Sequence, residues 1–359
     1  RAAARYDYAV VGRQLRDVYE KAIERRSASA PSTRRQQWLR RLRAVRRQAA
    51  AVRSHPSNQG RQLQQWWSIL RYEAASSVGR SATIRFAGSS RVRSRKRGDS
   101  SSRVAFARWP DWPEMRVWST WLRPGDVFVD IGANVGLYSL VAAEQGAQVI
   151  AFEPATDMAD AFEENMQLNG LSDWVLHRAA LLDREGWADL AGPDPNRRRV
   201  VVGDTGRQRV VAPSDTAVRV LTLDDAIGGT AVRGMKIDVE GVERLVLLGG
   251  AEVLRSSSLE LVQLEWNDTS LAALGETRTP LAELLVGVGF SLFQCPTGSE
   301  RFVNFGTAAP PVGRDVFAAR GQVRELFDRA PWLVSAPQPE ATMGRATRGD
   351  GRRSGWGRS

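Results

Sequence analysis

Cysteine is almost absent from this chain. Its 359 residues hold one, Cys295, which excludes an internal disulfide and a cysteine-based zinc cluster. Histidine is nearly as scarce, with only His55 and His177. His55 falls in a strongly basic stretch. His177 falls inside an apolar run, where a satisfied core role is expected. General acid–base chemistry, usually carried by histidine, therefore has to fall to carboxylates. No run approaches the roughly 18 apolar residues of a membrane span. The first residues also lack the apolar centre of a signal peptide. These absences make a cytoplasmic enzyme the expectation.

Charge is unevenly spread. The net charge of +11 hides a split: residues 1–108 carry 26 Lys and Arg against 6 Asp and Glu, residues 109–340 carry 20 against 33, and residues 341–359 carry 5 against 1. A mildly acidic body thus has basic ends. The balance suggests an Arg-rich extension over 1–108, partly helical or disordered, a main domain over 109–310, and a C-terminal helix with a basic disordered tail over 311–359. Inside the extension, apolar spacing predicts helices over Tyr6–Arg25, over Gln36–Val52, and over Gln62–Ala75, the last built round Trp66, Trp67 and Leu70. Arg91 to Arg97 reads as exposed. Such a segment either contacts nucleic acid or an anionic membrane, or is a passive solvated extension. The passive role is expected, because no nucleic-acid-binding fold motif is present.

What the chain does have is organised around residues 127–136. Arg123-Pro124-Gly125-Asp126 signals a turn. Val127 to Ile131 is a short β-branched run, read as a buried strand. Gly132 and Gly136 bracket a tight loop, and Leu137 to Glu144 is free of Pro and Gly, as a helix requires. A glycine loop at the carboxyl end of a strand is where open α/β sheets bind ligands. Glycine lets the backbone turn sharply and approach a ligand closely. The pattern Asp130-x-Gly132-Ala133-Asn134-x-Gly136 is not the G-x-G-x-x-G of dinucleotide enzymes. It resembles the first motif of S-adenosylmethionine-dependent methyltransferases, with Asn134 in place of the middle glycine. Asn tolerates left-handed backbone. Val149 to Phe152 reads as the second strand. Glu153 stands at its end, 23 residues after Asp130, where a carboxylate can accept both ribose hydroxyls of an adenosine. Asp130, Gly132, Ala133, Asn134, Gly136 and Glu153 are the candidate cofactor-binding residues. The plain alternative is a loop that only joins strand to helix.

Downstream, strands and helices alternate, which argues for a mostly parallel sheet. Helices are expected over Pro113–Leu122, Pro154–Leu168, Gly241–Arg255 and Thr279–Val286. Strands are expected over Val175–Arg178, Val218–Leu223, Gly234–Val239, Leu259–Trp266 and Phe290–Gln294, with Phe302–Phe305 as a hairpin partner of the last. Ala179–Asp183 reads as a turn, and residues 191–216 as a loop-bearing insertion.

In this order the chain resembles the FkbM family of methyltransferases. The matching pieces are Val129 to Gly136, Ala151-Phe-Glu-Pro154, Asn165-x-x-x-Asn169, Ala180-Leu-Leu-Asp183, Leu221-Thr-Leu-Asp224, Met235-Lys-Ile-Asp-Val-Glu-Gly241 with Glu243, Gly249-Gly-Ala251, and Glu265. The resemblance runs from residue 110 to residue 306 and leaves the first 100 residues and the tail outside. It implies an α/β, Rossmann-like class I methyltransferase fold with helices on both faces of the sheet. It also implies S-adenosyl-L-methionine as donor and transfer to a hydroxyl oxygen of a small molecule or sugar.

An alcohol acceptor must lose a proton as the methyl group arrives, and a carboxylate can take it. Lys236 and Asp238 lie on one face of their strand. Asp238 and Glu240 come at its carboxyl end. Asp238 is the first candidate for base or acceptor-positioning group, Glu240 the second, and Lys236 pairs with a carboxylate. The bland role for both acids is to cap the following helix. Asp238, Glu265 and Asn267 are also an oxygen set that Mg²⁺ would accept. Two other functions remain open: a nucleic-acid methyltransferase using the basic arm, and a non-catalytic adenosine-binding protein. Against the first stands Asp238-Val-Glu-Gly241, where base-amino methylases carry Asn/Asp-Pro-Pro-aromatic. Against the second stands the intact set of Asp130, Gly132, Gly136 and Glu153.

Overall fold

The computed structural model of the chain describes residues 52–94, 100–191, 199–200, 217–266, 277–295, 302–307 and 315–329. The helices expected before Val52, the loop residues 267–276 and the tail after 329 lie outside these. A helix over Gln62–Ser77 precedes a hairpin of β1 (Ala82–Arg85) and β2 (Arg91–Ser94), and the helix Trp112–Trp121 follows. β3 (Val127–Ile131) leads through the helix Leu137–Glu144 to β4 (Gln148–Phe152), and the helix Thr156–Leu168 leads on to β5 (Trp174–His177). Next come β6 (Ala179–Leu181), β7 (Gly186–Ala191), β8 (Arg199–Val200) and β9 (Ala217–Leu221), then the short helix Leu223–Ile227. β10 (Gly234–Ile237) is followed by the helices Glu243–Leu248 and Ala251–Arg255. β11 (Leu261–Glu265), the helix Arg278–Gly287, β12 (Ser291–Gln294), β13 (Val303–Asn304), β14 (Asp315–Ala319) and the helix Gln322–Arg329 complete the order.

The main sheet runs β13-β12-β14-β11-β10-β3-β4-β5. From β5 to β11 the neighbours are parallel. β14 enters antiparallel between β11 and β12. The chain winds one way from β3 to β5 and the other way from β10 to β11, so the order reverses between β3 and β10. Open α/β sheets bind their ligands outside the strand ends at such a reversal.

Strand alternation sorts the core into two faces. Phe128, Val149 and Ala151 pack with Trp118, Leu140, Val141 and Phe162 on one side. Val127, Val129, Ile131, Met235 and Ile237 pack with Val246, Leu247, Leu281 and Leu285 on the other. Helices therefore cover both faces, as expected for a doubly wound α/β sheet. A second, smaller sheet runs β6-β9-β7-β8.

Several elements depart from the sequence-based expectation. The helix expected over Gly241–Arg255 is two helices, because the chain breaks at Gly249 and Gly250. A Cβ on Gly249 would lie 2.1 Å from the Leu182 carbonyl oxygen, and one on Gly250 would lie 2.5 Å from the Leu223 side chain. The pair allows that close approach. Ala179–Leu181 is a strand rather than a turn, pairing in parallel with β9. β14 lies beyond the expected domain edge at 310, yet it is an interior strand of the main sheet.

The described part of the basic segment is built into the body. Arg91 to Ser94 is a strand with Val92 and Ser94 buried, not an exposed run. Phe86, Val92 and Val104 belong to the same apolar cluster as Trp118 and Phe128. The helix Gln62–Ser77 buries Gln65, Ile69 and Tyr72, while Trp67 and Leu70 are 67% and 56% exposed. The expected face was the wrong one because Gln65 donates to the carbonyls of Val104 and Ala105, at 2.8 and 2.6 Å. A polar side chain with two buried partners out-competes a tryptophan for the inner face. Asn165 and Asn169 hold the hairpin. The Asn165 amide accepts from Arg93 N at 2.8 Å and donates to Val135 O at 2.9 Å. Asn169 accepts from Arg91 N at 2.7 Å. Asn165→Ala leaves buried groups unpaired on two elements, each worth about 1–3 kcal/mol. We expect a denaturant-measured loss of about 2–4 kcal/mol, with amide exchange speeding first at Arg91 and Arg93.

Candidate active site

A cleft of about 240 Å³ opens at the carboxyl ends of β3, β4 and β10. Its floor is the loop after β3. Gly132 N and Ala133 N both donate to Phe152 O at 3.0 Å, which ties the loop to the end of β4. Asn134 takes a left-handed backbone with φ 52°, the conformation that Asn tolerates best after Gly. Its Oδ1 accepts from Val135 N at 2.9 Å and from the Ser100 hydroxyl at 2.8 Å. Glu240, on the opposite wall, is the other left-handed non-glycine among the described residues, with φ 57°. Such strained residues concentrate at functional sites.

Gly132 is needed for a reason the motif does not reveal. A Cβ there would stand 2.0 Å from the carbonyl oxygen of Asp238. The loop after β3 thus lies backbone to backbone against the end of β10, with no room for a side chain. Close approach here is to the protein itself.

Glu153 is buried at the end of β4 and lines the cleft. Its carboxylate accepts from Asn134 N at 2.8 Å and from Ala155 N at 2.9 Å. Burial pushes its pKa to about 7, against the pull of those two N–H groups. Asp130 is placed differently from the other motif residues. It is buried behind the loop, where Oδ2 accepts from Ser139 N and Oγ at 3.1 and 2.7 Å. Among the described residues nothing bonds its Oδ1. It anchors the helix Leu137–Glu144 beneath the cleft floor.

The second wall is the end of β10. Lys236 is buried, with its ammonium 2.9 Å from Asp238 Oδ2 and 4.7 Å from the centre of the Tyr138 ring. Asp130 is its direct neighbour across the β3–β10 register. Burial opposes the charge on Lys236, but Asp238 and Asp130 outweigh it and hold the ammonium above the usual lysine range. Burial likewise opposes the charge on Asp238, and Lys236 overcomes it, so this carboxylate stays below its usual range. Gln263 steadies the arrangement from below. Its Nε2 donates to Tyr138 Oη at 3.1 Å and its Oε1 accepts from Trp118 Nε1 at 2.6 Å.

Neither Asp238 nor Glu240 caps the following helix. Glu243, its first residue, reaches back instead to the loop before it, where its Oε1 accepts from Gly241 N at 3.0 Å and from Val239 N at 3.4 Å. Asp224, in another of the matching motifs, accepts from Glu252 N and Val253 N and caps the helix Ala251–Arg255. Lys236, Asp238, Glu240 and Glu153 therefore meet round one cleft with Gly132, Ala133 and Asn134, while Asp130 and Gly136 shape it from behind. Tyr138, Gln263, Ser100 and Arg103 were not singled out in the sequence. Ser100 and Arg103 line the cleft from the basic segment, and no local pattern signals that. His177 stacks on Phe152 with ring centres 4.7 Å apart, a packing role. Among the described residues no group of three His, Cys, Asp or Glu could hold a metal ion, and Asn267 lies outside them.

Two buried acids make stability depend on pH. Glu153 and Glu243 both titrate at about 7 in the folded chain, raised by burial from an ordinary value of 4.5. Between those values the folded chain keeps protons that the unfolded chain has lost. The part of the stability that these two acids control should therefore fall as pH rises from about 4.5 to about 7 and change little above that. Glu153→Gln should flatten the fall by about 1–3 kcal/mol, read from denaturant midpoints at pH 5 and pH 8. An unchanged slope would remove Glu153 as its source.

Comparison with known proteins places the chain. Residues 130–284 match the family model described as the methyltransferase FkbM domain. The AMB antimetabolite synthetase AmbE of Pseudomonas aeruginosa is 26% identical over 265 residues, which is 62% of this chain but 12% of that protein. The chain thus spans only a small part of that relative. The 31-O-demethyl-FK506 methyltransferase FkbM of Streptomyces tacrolimicus is 31% identical over 208 residues, 48% of this chain and 75% of that one. Among solved structures, precorrin-6y C5,15-methyltransferase from Geobacter metallireducens GS-15 superposes with a TM-score of 0.34 at 13% identity, over 58% of this chain and 87% of that one. With the family model on its central sheet and a relative matched over 75% of its length, this chain belongs to the FkbM methyltransferase family.

Proposed function

We propose that the protein is an S-adenosylmethionine-dependent O-methyltransferase acting on a hydroxyl of a small molecule or sugar. The carrying observation is Asp238: an ionised carboxylate on the cleft wall, oriented by a buried lysine and touching the β3 loop through its own carbonyl. When bound, S-adenosylmethionine supplies a methyl group already activated on a sulfonium. The chain's part is to bind, align and remove a proton.

Glu153 is suited to accept the ribose hydroxyls, since each carboxylate oxygen keeps a lone pair beyond its one N–H bond. Ala179 to Leu181 line the same cleft and suit an adenine face. Asp238 holds the acceptor hydroxyl and receives its proton as the oxygen–methyl bond forms. Lys236 keeps that carboxylate charged and aimed. Alignment of donor and acceptor dominates, because the donor needs no further activation. Glu240 is the second candidate for the acceptor side. The small-molecule hydroxyl acceptor follows the name of the Streptomyces relative, which describes methylation of an O-demethyl compound. Against the nucleic-acid alternative stands Asp238-Val-Glu-Gly241, where base-amino methylases carry Asn/Asp-Pro-Pro-aromatic.

Two measurements on the full chain test this. Glu153→Ala should weaken S-adenosylhomocysteine binding by about 1–3 kcal/mol, the range for a charged hydrogen-bond partner. Calorimetry giving wild-type affinity would remove Glu153 from the donor site. Asp238→Asn keeps size and loses basicity. Donor affinity should hold within about threefold while kcat falls by about 10²–10⁴, the worth of a positioned base. Near-normal kcat in a folded Asp238→Asn protein would pass the role to Glu240.

A further inference from the structure

The cleft is rich in acids and poor in bases. Among the described residues it is lined by the carboxyl groups of Asp111, Glu153, Asp238, Glu240 and Glu265 and by two cations, Lys236 and Arg103. Lys236 is buried between Asp238 and Asp130 under the Tyr138 ring, so its charge is used within the wall. Arg103 is different, because its side chain is 48% exposed. Its Nη1 and Nη2 pair end-on with the two oxygens of Asp111, which fixes the plane of the guanidinium. The Nε edge takes no part in that pair. A carboxylate can meet this edge side-on through two parallel N–H groups.

Arg103 lies outside the matched residues 130–284, and buried polar side chains bring it to the cleft. It sits in the helix Ser101–Val104. Gln65 bonds the carbonyls that close this helix. Just beyond, Asn58 donates to Phe106 O at 2.9 Å and accepts from Arg108 N at 3.2 Å. Just before, the Ser100 hydroxyl rests on Asn134 of the loop after β3. Residues 100–111 therefore form a third wall, fixed both to that loop and to the packed body. The sulfonium of S-adenosylmethionine carries three arms. Glu153 and Ala179 to Leu181 suit the adenosyl arm, and Asp238 suits the side to which the methyl group leaves. The remaining arm ends in an amino acid, and the remaining wall carries Arg103. A carboxylate set among acids needs a cation close by, and Arg103 is the one whose guanidinium is open to the cleft.

We propose that Arg103 captures the α-carboxylate of the donor, so that a residue ahead of the family domain completes the donor site. This rests on the S-adenosylmethionine reading and adds one specific contact to it. The basic segment then has a part in binding and is not a passive extension.

The test is calorimetry on the full chain with two probes. One is S-adenosylhomocysteine. The other is 5′-(3-aminopropylthio)-5′-deoxyadenosine, the same molecule without its carboxylate. Wild type should favour S-adenosylhomocysteine by about tenfold or more, the worth of a hydrogen bond between charged groups. R103Q should weaken S-adenosylhomocysteine by a similar factor and bind the analogue no more weakly than wild type does. R103M, which keeps the stem and loses every N–H, should behave in the same way. The thermal midpoint reports that each variant is folded. Equal loss of both probes in R103Q overturns the proposal, because Arg103 would then only support the wall. Wild-type affinity of R103Q and R103M for S-adenosylhomocysteine also overturns it, and leaves the cation to an anionic acceptor. A wild type that binds neither probe overturns the donor reading itself, and this contact with it.

Discussion

The site depends on one buried cation. Lys236 sits in the middle strand of the sheet with Asp130 on the adjacent strand and Asp238 just past its own end. A buried ammonium is expensive unless opposite charge stands close by. Here the two carboxylates meet that need from two sides, and the Tyr138 ring covers the ammonium from a third. The consequence is geometric as much as energetic. Asp238 cannot leave its place without stranding Lys236. Asp130 in turn holds the helix under the cleft floor through Ser139. The loop after β3 and the carboxylate at the end of β10 are thereby parts of one electrostatic unit.

The backbone contact between the same two strands makes the coupling tighter. Gly132 lies against the Asp238 carbonyl with no space for a methyl group. A shift of either strand end by a few tenths of an ångström is felt at the other. Cores transmit displacement in this way because they are packed as densely as molecular crystals.

Much of the motif set serves this architecture rather than the reaction. Asn165 and Asn169 dock the β1–β2 hairpin, Asp224 caps a short helix, Glu243 ties down the loop after β10, and Gly249 and Gly250 admit a neighbouring loop and side chain. In each case a polar side chain satisfies backbone N–H groups that burial would otherwise orphan, or a missing Cβ permits contact. The residues left over, Glu153, Lys236, Asp238, Glu240 and Glu265, are those that reach the cleft.

The sequence by itself determined the local elements and the chemistry on offer. Val127–Ile131 and Leu137–Glu144 begin and end where β-branched periodicity, turn residues and glycine say they should, because those signals act over a few residues. The carboxylates at strand ends and the near-absence of histidine were equally plain. Only the tertiary structure decided which face of the Gln62–Ser77 helix turns inward. It alone showed that residues 52–94 of the basic segment pack against the body, that β14 from beyond residue 310 lies inside the main sheet, and that Asp238 pairs with Lys236. It also brought Gln263 to Tyr138 and Glu265 to Asp238. Each of these depends on partners far away along the chain, such as Val104 for Gln65 and Trp118 for Gln263. No local periodicity encodes a partner at that separation. It is chosen when buried polar groups must find one another inside a packed core.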